Sequence, residues 1–453
     1  MTTTAVVSTE CPTCGAPLDF DDAARAIRCA HCRSQLLITG RRQVLSYTIP
    51  ARIAESDARS LVRFSLPADR QAAHVGGGTL YLVPYYRLTA EEIAWQRGDS
   101  ERSRRQNVRD MSAFLGVPVP GSKEAMDVAL EGDDASPRFT SRVLERNFVA
   151  RETSVVPHSL GVRPAALGLR LFDRETTGEA VVVSADLTPR SARERAVGDG
   201  GGDVRSRELL RVVLQMVYFP FWMVPINVGS TEAVAVVDGV SGKILCDDAE
   251  PDLVTALGTG ARRRTRTLGF RALVCPNCGW DLPLRPDDIL FQCSSCERGW
   301  LARGDRLDPI SFGVANGEGD VACHLPVWRV GGLEGAAIFA PAFRCRRVKA
   351  LFDLGARLTR QASTIPRADD IPSGLVGCAL DEEDARALAR FIAVGIADEA
   401  VRGAARPALA ESVEGLPIEL LWLPFSTDGY ALRELMTGAP IPQRLLDREP
   451  GSG

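Results

Sequence analysis

Eight of the twelve cysteines in this chain fall into two sets with the same spacing. Each set contains two Cys-x2-Cys pairs separated by fourteen residues. The sets are Cys11, Cys14, Cys29 and Cys32, and Cys275, Cys278, Cys293 and Cys296. Two such pairs joined by a hairpin-length insert place four thiolates at the corners of a tetrahedron, as a structural zinc site requires. The spacing therefore predicts two small ribbons, each folded around one metal ion.

Other uses of these cysteines fit less well. A reducing cytoplasm disfavours disulfides, and a redox Cys-x2-Cys motif needs a single pair at a helix start in a βαβ setting. A rubredoxin-type iron site uses the same four thiolates, so ligand chemistry alone leaves iron open. Four cysteine ligands leave no coordination position for water, so we predict two structural zinc ions without a catalytic role.

The remaining metal-binding side chains are interpreted as structural. His31 lies inside a Cys-x2-Cys pair, but its counterpart in the second set is Ser295, so we expect an exposed residue and not a ligand. The glycine after the first pair of each set is expected to take the positive φ of a tight turn. The other four cysteines share no spacing and are interpreted as small buried side chains whose role is open: Cys246, Cys323, Cys345 and Cys378.

The two cysteine sets align without a gap at a constant offset of 264 residues, from Cys11 to Cys275. The offset also matches six other pairs: Pro12/Pro276, Gly15/Gly279, Leu18/Leu282, Leu37/Leu301, Gly40/Gly304 and Arg42/Arg306. Three further landmarks recur in the same order: 83–88 with 325–330, 167–171 with 354–358, and 219–222 with 423–425. We therefore predict two pseudo-duplicated units. A hairpin at 233–245, with an Asp238-Gly239 turn signal, has no clear counterpart in the second unit.

These patterns predict an α+β fold in which each of two zinc ribbons is followed by a mixed α/β domain. The predicted segments are a ribbon at 1–40, a domain at 41–250, a linker at 251–268, a ribbon at 269–306, a domain at 307–440 and a loose tail at 441–453. The predicted elements are helices at 56–64 and 381–401, a helix starting at the capping box 89–92, a strand at 80–88, a flexible loop at 191–207, and a buried helix running into a strand at 209–228.

Charge argues against general binding to nucleic acid, because the net charge is −4 and the isoelectric point about 5.8. One dense basic run precedes the second ribbon: Arg262, Arg263, Arg264 and Arg266. The simpler interpretation is a solvated linker, and the alternative is contact with phosphates, with ribbon aromatics stacking on bases. Lysine occurs only three times beside many arginines, which we interpret as a bacterial base-composition bias.

Several function classes lack a sequence signal. The start of the chain has no basic segment followed by an apolar one, so we expect no signal peptide and a cytoplasmic protein. The most hydrophobic stretch, 209–228, is interrupted by Arg211, Gln215 and two prolines, so we expect no membrane span. Neither a phosphate-binding glycine motif nor a histidine triad is present, which favours a non-enzymatic protein.

Four strings that place an aromatic near proline, such as 83–86, fit core packing or a partner surface.

The paired Cys-Pro-x-Cys-Gly motifs resemble those of transcription-factor-type zinc ribbons. The run from 218–222 into 236–243 also resembles uncharacterised bacterial zinc-ribbon proteins, many of which add a transmembrane segment. This chain differs by lacking that segment and by carrying two ribbons. The resemblance implies zinc binding and little else, because ribbons serve nucleic-acid, protein-docking and purely structural roles alike. We expect a zinc-stabilised scaffold or adaptor for protein–protein interaction, with a nucleic-acid-associated regulator as the alternative.

Overall fold

The computed structural model describes most of the chain, and everything below concerns residues 6–21, 24–40, 44–70, 72–96, 138–153, 155–159, 168–173, 177–197, 204–258, 268–284, 288–317, 319–331, 337–361, 365–368, 371–372, 375–396 and 413–446. The basic run at 262–266 lies outside these residues, so its predicted contact with phosphates stays a prediction.

The fold mixes strands and helices, which confirms the predicted α+β class. The helices are α1 (Glu55–Ser65), α2 (Pro189–Val197), α3 (Pro251–Gly258), α4 (Val348–Gln361) and α5 (Glu382–Ile396). Helices α1 and α5 confirm the predictions at 56–64 and 381–401, although 397–401 lie outside the described residues. In α5, acidic residues occupy the first turn, and the buried stripe includes Leu388, Phe391 and Ile392.

An eleven-stranded sheet, called the first sheet, dominates the first half of the chain. Its order is β10-β7-β11-β5-β9-β1-β2, with β8 beside β7 and with β6, β12 and β13 attached through β11. Its strands are β1 (Val6–Glu10), β2 (Pro17–Asp21), β5 (Leu45–Thr48), β6 (His74–Val75), β7 (Thr79–Gln96), β8 (Arg138–Val149), β9 (Leu169–Leu171), β10 (Val181–Val182), β11 (Val204–Val228), β12 (Thr231–Asp238) and β13 (Ile244–Ala249).

The other strands form one six-stranded sheet, called the second sheet, and two three-stranded ribbon sheets. The ribbon sheets have the orders β14-β4-β3 and β15-β16-β17. Their strands are β3 (Ala26–Arg28), β4 (Gln35–Thr39), β14 (Gly269–Ala272), β15 (Leu290–Gln292), β16 (Gly299–Arg303) and β17 (Arg306–Ile310). The second sheet contains β18 (Phe312–Val314), β19 (Cys323–Val330), β20 (Ile338–Pro341), β21 (Ile418–Thr427), β22 (Ala431–Glu434) and β23 (Pro440–Pro442).

Two helix predictions are wrong, because β7 and β11 are long antiparallel partners. The capping-box glutamates lie inside β7, where Glu91 pairs with Arg211 and Glu92 accepts hydrogen bonds from Arg142 at 3.0 and 3.2 Å. The carboxylates expected to cap a helix therefore form ion pairs with arginines on neighbouring strands. The stretch 209–228 is strand throughout, since a central strand covered on both faces is almost continuously apolar.

Three predicted segment boundaries differ from the observed elements. The flexible loop expected at 191–207 contains most of α2 and the start of β11. Helix α3 begins the segment predicted as a linker, and β14 follows at its far end. The tail predicted from 441 includes part of β23 and a short 3-10 helix, Gln443–Leu445. The stretch 191–207 contains few apolar residues, which explains why hydrophobic periodicity did not reveal its helix and strand.

The two sheets share a core instead of forming separate bodies. Side chains from the far ends of β7, β8 and β11 join the cluster formed by the second sheet, α4 and α5. Trp95 stacks on Phe391 with ring centroids 6.2 Å apart, and Phe139 stacks on Phe352 at 4.1 Å. At a bulge in β11, the Arg211 N–H donates to the Asp384 carboxylate at 3.1 Å.

The two sheets have the same register around their proline strings. Pro84 on β7 lies opposite Tyr218 on β11, and Pro326 on β19 lies opposite Trp422 on β21. Backbone hydrogen bonds also match: Ala150 donates to the Pro84 carbonyl at 2.8 Å as Ala342 does to the Pro326 carbonyl at 2.9 Å. All four proline-containing strings lie in strands with mostly buried side chains.

The hairpin at 233–245 is confirmed as β12 and β13, and it has the counterpart that the sequence comparison missed. In its turn the Asp238 carboxylate accepts from the Val240 N–H at 2.7 Å. The turn between β22 and β23 repeats this, since Glu434 accepts from the Met436 N–H at 3.1 Å. The landmark pairing 167–171 with 354–358 is wrong, because β9 is a strand and the second segment lies in α4.

No helix within the described residues is long and apolar enough to cross a membrane.

Candidate metal centres

Each cysteine set forms two tight turns with the same backbone hydrogen bonds. In the first turns, Gly15 N–H donates to the Cys11 carbonyl and Gly279 N–H to the Cys275 carbonyl, at 2.8 and 2.9 Å. Both glycines have positive φ, 72° and 75°, as predicted. The second turns place Arg33 and Glu297 in the same left-handed conformation, at 62° and 59°. Sequence reasoning missed these two, because positive φ is uncommon outside glycine.

These turns bring the four sulfur atoms of each set together. In the first cluster the Sγ atoms of Cys11 and Cys32 are 3.7 Å apart, and those of Cys14 and Cys29 are 3.8 Å apart. In the second cluster the corresponding distances are 3.6 and 3.5 Å. Within each cluster all four atoms lie within 4.8 Å of one another, and every cysteine is a free thiol.

The sulfur positions fit a tetrahedral metal ion. Four Zn–S bonds of about 2.3 Å hold the sulfur atoms about 3.8 Å apart, and iron tetrathiolates are close to this size. A disulfide would instead bring two sulfur atoms to about 2.0 Å. The two clusters are therefore metal sites by geometry and donor set, while the distances do not select the metal.

Local hydrogen bonds favour the thiolate form of Cys32 and Cys275, whereas burial raises the pKa of Cys293 to about 11. The hydroxyl and backbone N–H of Ser34 donate to Cys32 and lower the pKa of that thiol to about 6. In the second cluster, burial opposes ionisation of Cys275, but N–H groups of Cys278 and Asn277 hold its pKa at about 6. Ser34 was missed by sequence reasoning, since a serine two residues after a cysteine is not a motif by itself.

The first cluster is built into the core of the first sheet. Cys11 and Cys29 are buried and belong to the same apolar cluster as Tyr47, Phe219 and many other residues. Strand β1 leads into the first turn and runs parallel to β9 of the first sheet. Loss of a metal here therefore exposes part of the large core as well as the ribbon.

The second cluster is linked to the first ribbon in two ways. Strand β14, which leads into Cys275, pairs with β4 of the first ribbon, for example Phe270 with Ile38. The apolar cluster around Cys275 and Cys293 also contains Ala26 and Leu37 of the first ribbon. Strand β14 thus forms the third strand of the first ribbon's sheet and leads directly into the second ribbon.

The remaining predicted residues take the following places. His31 is exposed, as expected. Three of the other four cysteines are buried, namely Cys323, Cys345 and Cys378, whereas Cys246 is half-buried and donates to an Asp248 oxygen at 3.0 Å. Among the second-ribbon aromatics considered for base stacking, Phe291 and Trp300 are buried in the ribbon core, and Trp280 is 60% exposed.

Comparison with family models, curated proteins and solved structures finds no match to this chain.

Proposed function

We propose that this protein is a zinc-stabilised scaffold that docks onto a protein partner. The observation that carries the proposal is the position of the second metal cluster, whose ribbon contacts both the first ribbon and the second sheet. Its Ile289 N–H donates to the Cys378 carbonyl at 2.9 Å, which ties the ribbon to the second unit. A metal ion at that point stabilises the relative placement of the two large sheets, and a fixed composite surface is what a docking protein needs.

We assign zinc to both clusters. Four thiolates in two Cys-x2-Cys turns are the donor set of structural zinc sites. A metal with four sulfur ligands is coordinatively saturated, so its contribution is to folding and not to turnover. Elemental analysis of the purified chain should give two zinc ions per molecule. One metal per chain, or mainly iron, would contradict the assignment.

We further propose that the chain arose by tandem duplication of a ribbon-plus-sheet unit. Matching hydrogen bonds support this beyond the sheet register. The Tyr86 hydroxyl donates to the Leu187 carbonyl, and the Trp328 indole N–H donates to the Leu380 carbonyl, both at 2.8 Å. The turn glycines Gly242 and Gly438 have φ values of 76° and 66°. Coincidence would not repeat side-chain, turn and ladder contacts in one order.

We place the protein in the cytoplasm, because eight free metal-binding thiolates persist in a reducing compartment. Affinity purification of the full chain from its native cells, followed by mass spectrometry, tests the scaffold directly. A protein recovered in a defined ratio supports docking, and recovery of the chain alone contradicts it.

The alternative is a nucleic-acid-associated regulator that uses the arginine run. Phosphate binding weakens steeply as salt is raised, so retention on DNA or heparin should fall with salt if this alternative holds. The proposed scaffold should pass through such columns at moderate salt, consistent with its net charge of −4.

A further inference from the structure

A groove of about 310 Å³ lies between the second ribbon and the second sheet. Its floor is apolar and includes Leu290 of β15, Leu375, and Trp422 of β21. Pro283 and Pro372 also line the groove. The groove therefore offers an apolar surface next to a ribbon edge, beside the turn that carries Cys293 and Cys296.

The ribbon side of the groove is an open strand edge. In the described part of the chain, β15 pairs with β16 and with no other strand. The Ala302 N–H donates to the Ile289 carbonyl at 2.7 Å at one end of β15, and the Cys293 N–H donates to the Arg298 carbonyl at 3.0 Å at the other, so the odd-numbered residues bond across to β16. Hydrogen-bonded and non-bonded pairs alternate along an antiparallel ladder. The backbone N–H and C=O groups of Leu290 and Gln292 consequently point away from β16, and both residues line the groove.

The charged residues that line the groove within the described part of the chain are acidic. Asp288 and Glu297 line it, and none of the described lining residues is basic. The corresponding positions of the first ribbon, at the offset of 264 residues, hold Ala24 and Arg33. Gln292 likewise corresponds to Arg28. The acidic character is therefore a property of the second ribbon and does not follow from the ribbon fold.

We propose that this groove binds an extended, basic peptide segment of the protein partner by adding it as a strand to the open edge of β15. Main-chain hydrogen bonds to Leu290 and Gln292 supply affinity, and alternate side chains supply specificity. Since side chains alternate along a strand, apolar residues of the peptide contact the floor while a lysine or arginine meets the exposed carboxylate of Glu297. The acidic lining disfavours nucleic acid here. The inference rests on the proposed docking function and names its partner chemistry.

The test uses a phage-displayed library of random twelve-residue peptides, selected on the full metal-loaded chain. We expect enrichment of peptides with a lysine or arginine between β-branched or other apolar residues. Glu297→Arg should weaken binding of an enriched synthetic peptide at least tenfold, measured by fluorescence anisotropy. Arginine is compatible with this position, because Arg33 has nearly the same positive φ as Glu297. Retention of two metal ions per chain would show that the variant is folded.

Two variants complete the design. Gln292→Pro removes an outward N–H from the edge without removing a ladder bond, so it should also weaken binding at least tenfold. Arg33→Glu, the matched change in the first ribbon, should leave binding within twofold. Absence of an enriched peptide family, or equal binding by wild type and Glu297→Arg, overturns the groove assignment. If a partner still co-purifies with Glu297→Arg from native cells, the groove is wrong while the scaffold stands; if no partner co-purifies with wild type, the scaffold itself fails.

Discussion

The two sheets share a register but differ in what covers their matching hairpins. In the first sheet, α1 packs over β11 and β12, and Trp222 lies opposite Val237 on those strands. The indole N–H of Trp222 donates to the Ile53 carbonyl at 2.9 Å. In the second sheet the matching pair is Ser426 opposite Arg433. The same backbone geometry therefore carries apolar residues under a helix and polar residues where the face meets solvent.

Chain length explains which hairpin receives a helix. Between β5 and β7 the first unit has room for α1, which is eleven residues long. In the second unit, β18 ends at Val314 and β19 begins at Cys323. A helix of α1's length spans about 16 Å and needs a return connection, which this short segment cannot supply. The hairpin without a covering helix therefore has polar residues at the positions where the covered hairpin has apolar ones.

The two ribbons differ in the source of their third strand. In the second ribbon, β17 follows β16 directly in the chain and pairs with it. In the first ribbon, the corresponding place beside β4 is taken by β14, which lies far away in sequence. The first ribbon therefore depends on the segment that enters the second, whereas the second ribbon supplies its own strand.

The largest expected effect comes from removing a metal ligand, because structural zinc contributes about 10–16 kcal/mol in small peptides. Cys293→Ser should lower the metal content below one ion per chain, since unfolding of the second ribbon releases β14 from the first. Cys29→Ser should leave about one ion, because the second ribbon retains β17. Metal analysis and thermal unfolding measure both effects. Retention of one full ion by both variants would show that the ribbons are independent.

Exchange of the matched residues should sharpen the comparison of the hairpins. Val237 is fully buried beneath α1, so Val237→Arg should cost about 3–5 kcal/mol of the free energy of unfolding by burying an unpaired charge. The reverse change, Arg433→Val, should alter stability by less than about 1 kcal/mol, because the ion pair of Arg433 with Asp428 is exposed. Urea titration gives both values. Similar costs at the two positions would mean that the second hairpin is covered as well.

A smaller effect should follow from loosening the strand that joins the ribbons. A Cβ at Gly269 would lie 2.5 Å from the Thr39 hydroxyl oxygen. Gly269→Val should therefore push β14 from β4 and cost about 1–3 kcal/mol. The control is Arg271→Val, an exposed position on the same strand, which should be nearly neutral. Hydrogen exchange at 35–39 should quicken only in the glycine variant, and unchanged exchange would contradict the role of β14.

Much of the metal chemistry could be predicted from sequence because the ligands are close together in the chain. Each Cys-x2-Cys turn is a local structure, and the constant offset identified both clusters before any fold was known. Helices α1 and α5 were also recognised from local patterns. The register shared by the two sheets was visible only as weak landmarks, since sheet pairing depends on residues far apart in sequence.

The errors have the same origin. At Glu91 and Glu92, a local helix signal was outweighed by ion pairs to arginines on two neighbouring strands. The second hairpin was missed because Glu434 replaces the Asp-Gly signal, although its carboxylate makes the same contacts as Asp238. The pairing of β14 with β4 joins segments that are far apart in the chain. No local pattern encodes such a partner.

The smallest expected effect distinguishes the two matching turns. The Thr437 hydroxyl accepts from the Ala439 N–H at 3.3 Å and donates to the Glu434 carboxylate at 2.6 Å. Glu434 is fully buried, so Thr437→Ala should cost about 1–2 kcal/mol by leaving a buried carboxylate with one donor fewer. The matched Ser241 accepts from the Lys243 N–H at 3.3 Å but is exposed. Water can replace that hydroxyl, so Ser241→Ala should cost less than about 0.5 kcal/mol. Chemical denaturation of both variants measures the two losses in the free energy of unfolding. Equal losses would show that burial of the turn carboxylate does not determine how much the neighbouring hydroxyl contributes.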